Sequence, residues 1–116
     1  DFKQVTDALA NLGKEDDHEF VILEDADNSF IQTLSENGVF LVEKKNKDTK
    51  TIYRAHNKNC RGEQGAAIVR LRGWRYVLQK DESLTMEEAV PIFQAYYEGK
   101  DMPEYIGWRF HEHTLE

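Results

Sequence analysis

Apolar residues open the chain at a helical spacing. Phe2, Val5, Leu9 and Leu12 fall at i, i+3, i+7 and i+10, one stripe of a helix. Asp1 is placed to cap its start and Gly13 to end it. Past the acidic run Lys14-Glu15-Asp16-Asp17 the period changes. The short apolar run Phe20-Val21-Ile22-Leu23 reads as a strand, and Asp25-Ala26-Asp27-Asn28 as a turn. Ser29 to Ser35 alternates as a second strand, with Phe30 and Leu34 on one face and Ile31 and Thr33 on the other. Asn37-Gly38 is a pair that two-residue hairpin turns favour, because both positions tolerate positive φ. Val39 to Lys44 and Thr51 to Ala55 supply two more strands, so the middle of the chain reads as an antiparallel meander. His56 to Gly65 shows no apolar period and reads as the longest loop.

From Ala66 to Gln79 the apolar parity switches across Gly73: Ala67, Val69 and Leu71 lie on odd positions, Trp74, Tyr76 and Leu78 on even ones. Gly73 therefore marks either a bulge in one long strand or a sharp bend between two. Arg70 and Arg72 fall on the outer face of this segment. A second helix is expected over Asp81 to Gly99, its capping box formed by Thr85 and Glu88 and its stripe by Val90, Phe93 and Tyr97. Pro91 conflicts with it, so the helix is either bent there or regular only beyond that point. Tyr105 to Phe110 reads as a last strand burying Ile106, Trp108 and Phe110. The sum is an α+β fold: an antiparallel β-sheet of about five to six strands, with an N-terminal and a C-terminal helix packed on it, ending in a last strand.

Length adds that 116 residues make one domain, spanning residues 1–114, with Leu115 and Glu116 read as a cloning scar. No apolar run reaches the roughly 18 residues of a membrane span. One cysteine, Cys60, leaves no internal disulfide and fits a cytoplasmic setting.

Charge changes the picture most. Residues 44–80 hold 11 Lys/Arg and two acids, a block of +9. The other residues hold four bases and 20 acids, −16, and the two sum to the net −7. Segregation of this size speaks to partners rather than to fold. The basic block carries Tyr53, Trp74 and Tyr76 among its arginines, as nucleic-acid platforms do, but a chain of −7 repels phosphate at long range.

Candidate chemistry is sparse. His111 and His113 have a spacing that metal sites use, without an evident third ligand. Cys60 and His56 lie in one loop, without the pocket a thiolate nucleophile needs. Asp25-Ala26-Asp27-Asn28 lacks the Gly and distal Glu of a calcium loop. No phosphate loop, Ser/His/Asp set or zinc pattern occurs, so the expectation is a binding protein without cofactor or metal rather than an enzyme.

Several of these segments together resemble a known family. Phe20 to Glu24 followed by Ser29-Phe30-Ile31-Gln32, then Val42-Glu43-Lys44 and Ile52-Tyr53-Arg54-Ala55, look like the first four strands of bacterial polymorphic-toxin immunity proteins. Leu84 to Ala89, Phe93-Gln94-Ala95-Tyr96, Gly99 and Trp108 resemble their final helix and terminal Trp. The likeness covers about two-thirds of the length and is closest to the immunity family paired with deaminase toxins; Pro91 and Arg61 to Arg75 depart from it. It implies a cytoplasmic neutraliser in contact-dependent inhibition or a related secretion system. Such a protein binds the C-terminal domain of a cognate toxin, a nuclease or deaminase, one to one, and covers its active site. Charge and turn placement then nominate Glu15, Asp16, Asp17, Asp25 and Asp27 as toxin-binding residues. The alternative is a nucleic-acid-binding or regulatory module working through residues 44–80.

Overall fold

A computed structural model of the chain describes residues 2–12, 21–25, 28–36, 39–46, 51–59, 66–71 and 74–114. For residues 36, 66–71, 74–77 and 111–114 the description extends to the backbone alone. The expected cap and stop of the first helix, Asp1 and Gly13, lie outside these residues, as do Cys60 and the link 60–65.

Helix α1 spans Phe2–Leu12 and buries Val5, Leu9 and Leu12, the stripe its spacing predicts. Strands β1 (Val21–Glu24), β2 (Phe30–Glu36), β3 (Val39–Lys45) and β4 (Thr51–Asn57) form the antiparallel meander. Glu36 pairs with Val39, so the β2–β3 link is the two residues 37 and 38. Strand β5 (Ala66–Leu71) and β6 (Trp74–Gln79) follow, then a 3-10 turn at Lys80–Glu82, helix α2 (Met86–Glu98) and strand β7 (Ile106–Thr114). The sheet has five strands in the order β1-β2-β3-β4-β7, and β5 with β6 makes a separate two-stranded hairpin.

That hairpin resolves the parity switch. Its register pairs Ala67 with Leu78, Val69 with Tyr76 and Leu71 with Trp74, so odd positions of β5 share a face with even positions of β6. Residues 66–71 and 74–79 are thus two antiparallel strands rather than one long bulged strand, and Gly73 itself lies outside the described residues.

Alternation along β3 sorts the sheet into two faces. Phe40 and Val42 join Leu9, Leu12, Ile31, Ala55, Leu84, Ile92, Phe93 and Ile106 in the main core beneath both helices. Leu41 points the other way, where it is buried with Leu78 of the hairpin against Leu34 and Val39. The hairpin thus covers the face opposite the helices.

Helix α2 begins later than Asp81, because residues 80–82 close a 3-10 turn first. Thr85 is its N-cap: its hydroxyl accepts from the Glu88 N–H while the Glu88 carboxylate accepts from the Thr85 N–H. Gly99 ends it at φ 70°, the left-handed conformation that lacks a penalty only for glycine. The helix runs continuously through Pro91. Proline has no N–H for the Glu87 carbonyl, and the Tyr105 hydroxyl donates to the neighbouring Glu88 carbonyl at 3.1 Å, tying this stretch to the start of β7.

Two further expectations change. His56 and Asn57 belong to β4, paired with Gly107 and Ile106, rather than to a loop. Strand β7 continues to Thr114, which places His111 and His113 within it, and Phe110 is 59% exposed rather than buried. No helix among the described residues is long and apolar enough to cross a membrane.

Candidate functional site

Strands β3 and β4 pair only over Glu43–Lys45 and Ile52–Arg54. Beyond that they diverge, and Leu84 enters the fork as a bridge to Phe40, exchanging N–H···O bonds of 2.8 and 3.2 Å. Here the chain passes from the hairpin face of the sheet to the helix face. The charged side chains of the fork form one network. Arg54, 4% exposed, donates to Glu43 Oε2 at 3.2 Å and to Glu82 Oε1 at 3.4 Å. Glu82, 2% exposed, also accepts from the Gln79 N–H at 2.8 Å and from Arg109 Nη1 at 2.7 Å. Arg109 holds Asp81 through both terminal nitrogens, at 2.9 and 2.8 Å, the fork-on-carboxylate geometry that arginine favours. Gln32 completes the set by donating to Glu43.

A buried charge costs free energy unless paired and hydrogen-bonded, and here each carboxylate has a guanidinium. The pairing fixes the 3-10 turn over the fork and with it the start of α2. The hydrogen bonds and charge of Arg109 hold the Asp81 carboxyl below its ordinary value. A depressed folded value contributes stability that is complete above the unfolded carboxyl range of about 4 and is lost as pH falls through the folded value. Asp81→Asn is therefore expected to lower the urea midpoint at pH 7 and to leave less further loss below pH ~4 than the parent shows.

His56 completes the fork. Its Nδ1 lies 3.6 Å from Asp81 Oδ2, beyond hydrogen-bonding reach, and has no hydrogen-bond partner among the described residues. Its ring lies over Gly107, its register partner on β7. A Cβ at position 107 would stand 2.4 Å from Nε2 and 2.7 Å from Cε1. Gly107→Ala should consequently displace the imidazole at a cost of about 1–3 kcal/mol. The double variant with His56→Ala should recover most of that loss in a thermal melt, and a cost unchanged by the second substitution would refute the contact.

The outer surface carries the opposite emphasis. On α2, Glu87, Gln94 and Glu98 are exposed along one stripe, an acid at each end about 16 Å apart by helical rise. Asp101 and Glu104 are exposed in the segment before β7, and Tyr97, 51% exposed, rests on Phe2 with ring centroids 5.6 Å apart. Among the described side chains seven acids are exposed (Asp7, Glu24, Asp25, Glu87, Glu98, Asp101, Glu104) against four bases (Lys3, Lys58, Lys80, Lys100). Lys100 is itself 3.4 Å from Glu98. Two members of the basic block turn inward: Arg54 into the fork, and half-buried Lys44 to 4.3 Å over the Trp108 ring, where burial lowers its pKa.

Of the nominated contacts, Asp25 is exposed in the turn after β1, where its N–H donates to the Ser29 carbonyl at 2.9 Å. Asn28 takes φ 71° in the same turn. Glu15, Asp16, Asp17 and Asp27 lie outside the described residues. Glu87 and Glu98 were both present in the sequence, but only helix phase shows that they share a stripe of α2. Among the described residues no group of His, Cys, Asp and Glu is arranged to hold a metal ion. Comparison of the chain with family models, curated proteins and solved structures finds no match.

Proposed function

We propose that this chain is an immunity protein, which binds the C-terminal domain of a cognate bacterial toxin one to one and neutralises it by covering its active site. The observation that carries the reading is the pair of exposed acids Glu87 and Glu98 on one stripe of α2, with exposed Tyr97 on the same helix and exposed Asp101 and Glu104 in the segment that follows. A nuclease or deaminase domain grips nucleic acid through a cationic groove, and an acidic surface with an aromatic anchor complements such a groove. In the fork the carboxylates of Glu43, Asp81 and Glu82 are engaged by Arg54 and Arg109, which favours a structural role for them over catalysis. Asp25 and the other acids nominated from the sequence would extend the contact. The protein would act in the cytoplasm, where the toxin's substrate lies.

The test is co-expression with the toxin domain encoded next to this chain. Cells should survive induction only when the chain is present, and the two proteins should co-purify one to one with the toxin's activity suppressed. Survival that does not depend on this chain would sink the reading. A competing reading uses residues 44–80 on nucleic acid, and the β5–β6 register does set Arg70 directly across from Arg75. A salt-dependent gel shift with DNA or RNA would favour it.

A further inference from the structure

The two edges of the five-stranded sheet differ. Strand β1 has four residues and runs into exposed Glu24 and Asp25, a short, charged edge of the kind that resists pairing. The opposite edge, β7, has nine residues, none of them Lys or Pro, and among the described strands pairs with β4 alone. Its main-chain direction follows from one bond. The Lys58 N–H donates to the Tyr105 carbonyl at 2.7 Å, which makes 58/105 a hydrogen-bonded pair of the antiparallel ladder. Such pairs alternate, so Gly107 and Arg109 bond to β4 through their partners His56 and Arg54, while Trp108 and Phe110 direct N–H and C=O away from the sheet. The register with β4 is regular from Ile106 to His111. Phe110 is the most exposed large apolar residue described, at 59%, and it meets Tyr53 edge-on at 6.2 Å between ring centroids.

From the open ladder at Trp108 and Phe110 and the exposed Phe110 ring, we infer that β7 pairs antiparallel with β7 of a second copy, joining two five-stranded sheets into one across a two-fold axis. With the axis at Phe110, the Phe110 N–H and C=O of each copy bond to those of the other, and the two exposed rings become cross-strand neighbours. A two-fold contact of this kind needs a surface that complements itself. This edge qualifies: its one described charged side chain, Arg109, is already held by Asp81 and Glu82. Each copy carries −7, so added salt strengthens the pairing by screening. That is the reverse of the salt effect on an acidic surface meeting a cationic toxin, and the inference stands apart from the immunity reading.

Sedimentation velocity and light scattering of the full chain over a wide concentration range provide the test. The mass is expected to rise from 13.6 kDa toward twice that value, at lower protein concentration when salt is added. Phe110→Pro removes only an outward N–H and leaves the β4 ladder intact, and Phe110→Glu sets like charges together at the axis. Both variants should stay monomeric with the circular dichroism of the parent, while Tyr97→Glu, on the helix face, should still dimerise. Amide exchange supplies an independent readout: Trp108 and Phe110 should gain protection in concentrated samples and lose it on dilution. A parent that keeps the 13.6 kDa mass at the highest soluble concentration overturns the inference, and so does a Phe110→Glu variant that dimerises like the parent.

Discussion

Replacing Arg54 by Ala is expected to destabilise the protein by about 3–5 kcal/mol, the range for breaking a buried ion pair from one side. Arg54 is the shared partner of Glu43 and Glu82, which are 7% and 2% exposed. Its loss leaves Glu43 without a cation and Glu82 with Arg109 alone. Set against a total stability of about 5–15 kcal/mol, a loss of that size leaves a marginal domain. Urea denaturation with an unchanged m-value is the measurement. Since residues in one network do not contribute additively, the Arg54→Ala/Glu82→Gln double variant should lose less than the sum of the single changes. A single-variant cost below about 1 kcal/mol would mean that water reaches the fork and solvates both carboxylates.

The second large effect lies on the other side of the sheet. Phe93, on α2, is fully buried in the core shared with α1 and the sheet, the largest side chain so enclosed among the described residues. Phe93→Ala removes a ring from a core that can close only partly around the hole, at about 3–5 kcal/mol. Tyr97 lies one turn further along the same helix and is half exposed, so Tyr97→Ala should cost well under half as much. Comparable losses at the two positions would contradict the placement of the helix.

The contrast between these sites explains what could be read from the sequence. The stripe of α1, the meander, the Thr85–Glu88 box and the Gly99 stop were legible because each rests on residues a few positions apart. Glu43 opposite Arg54 was within reach of the same reasoning, as a cross-strand pair in a recognised hairpin. Glu82 and Asp81 were not: they meet Arg54 and Arg109 from 28 residues away, and no local period announces a turn that crosses a fork. Gly107 gave no signal either, since its reason is the His56 ring across the strand pair. Phe110 failed for a related cause. Alternation places it on the same side as Ile106 and Trp108, but the helices cover only the first part of β7, leaving the ring uncovered.

For the candidate site, the excess of acids was legible and its location was not. Reading acids as turn residues led to Glu15, Asp16, Asp17, Asp25 and Asp27, of which Asp25 alone is described. The exposed row on α2 emerges from the phase of a helix whose start the sequence set at Asp81 and the structure sets at Met86. The inward turn of Arg54 and Lys44 also could not be seen in a sum of charges.

In the proposed function the exposed acids of α2 and the segment after it steer a cationic toxin domain onto the protein. Stopped-flow association between the chain and the toxin domain encoded beside it, measured as ionic strength rises, tests this most directly. The association rate is expected to fall by roughly 10-fold or more from low to high salt. The Glu87→Lys/Glu98→Lys/Asp101→Lys variant should associate slowly at low salt and lose most of that dependence. Equal rates and equal salt slopes for the parent and the variant would contradict this steering.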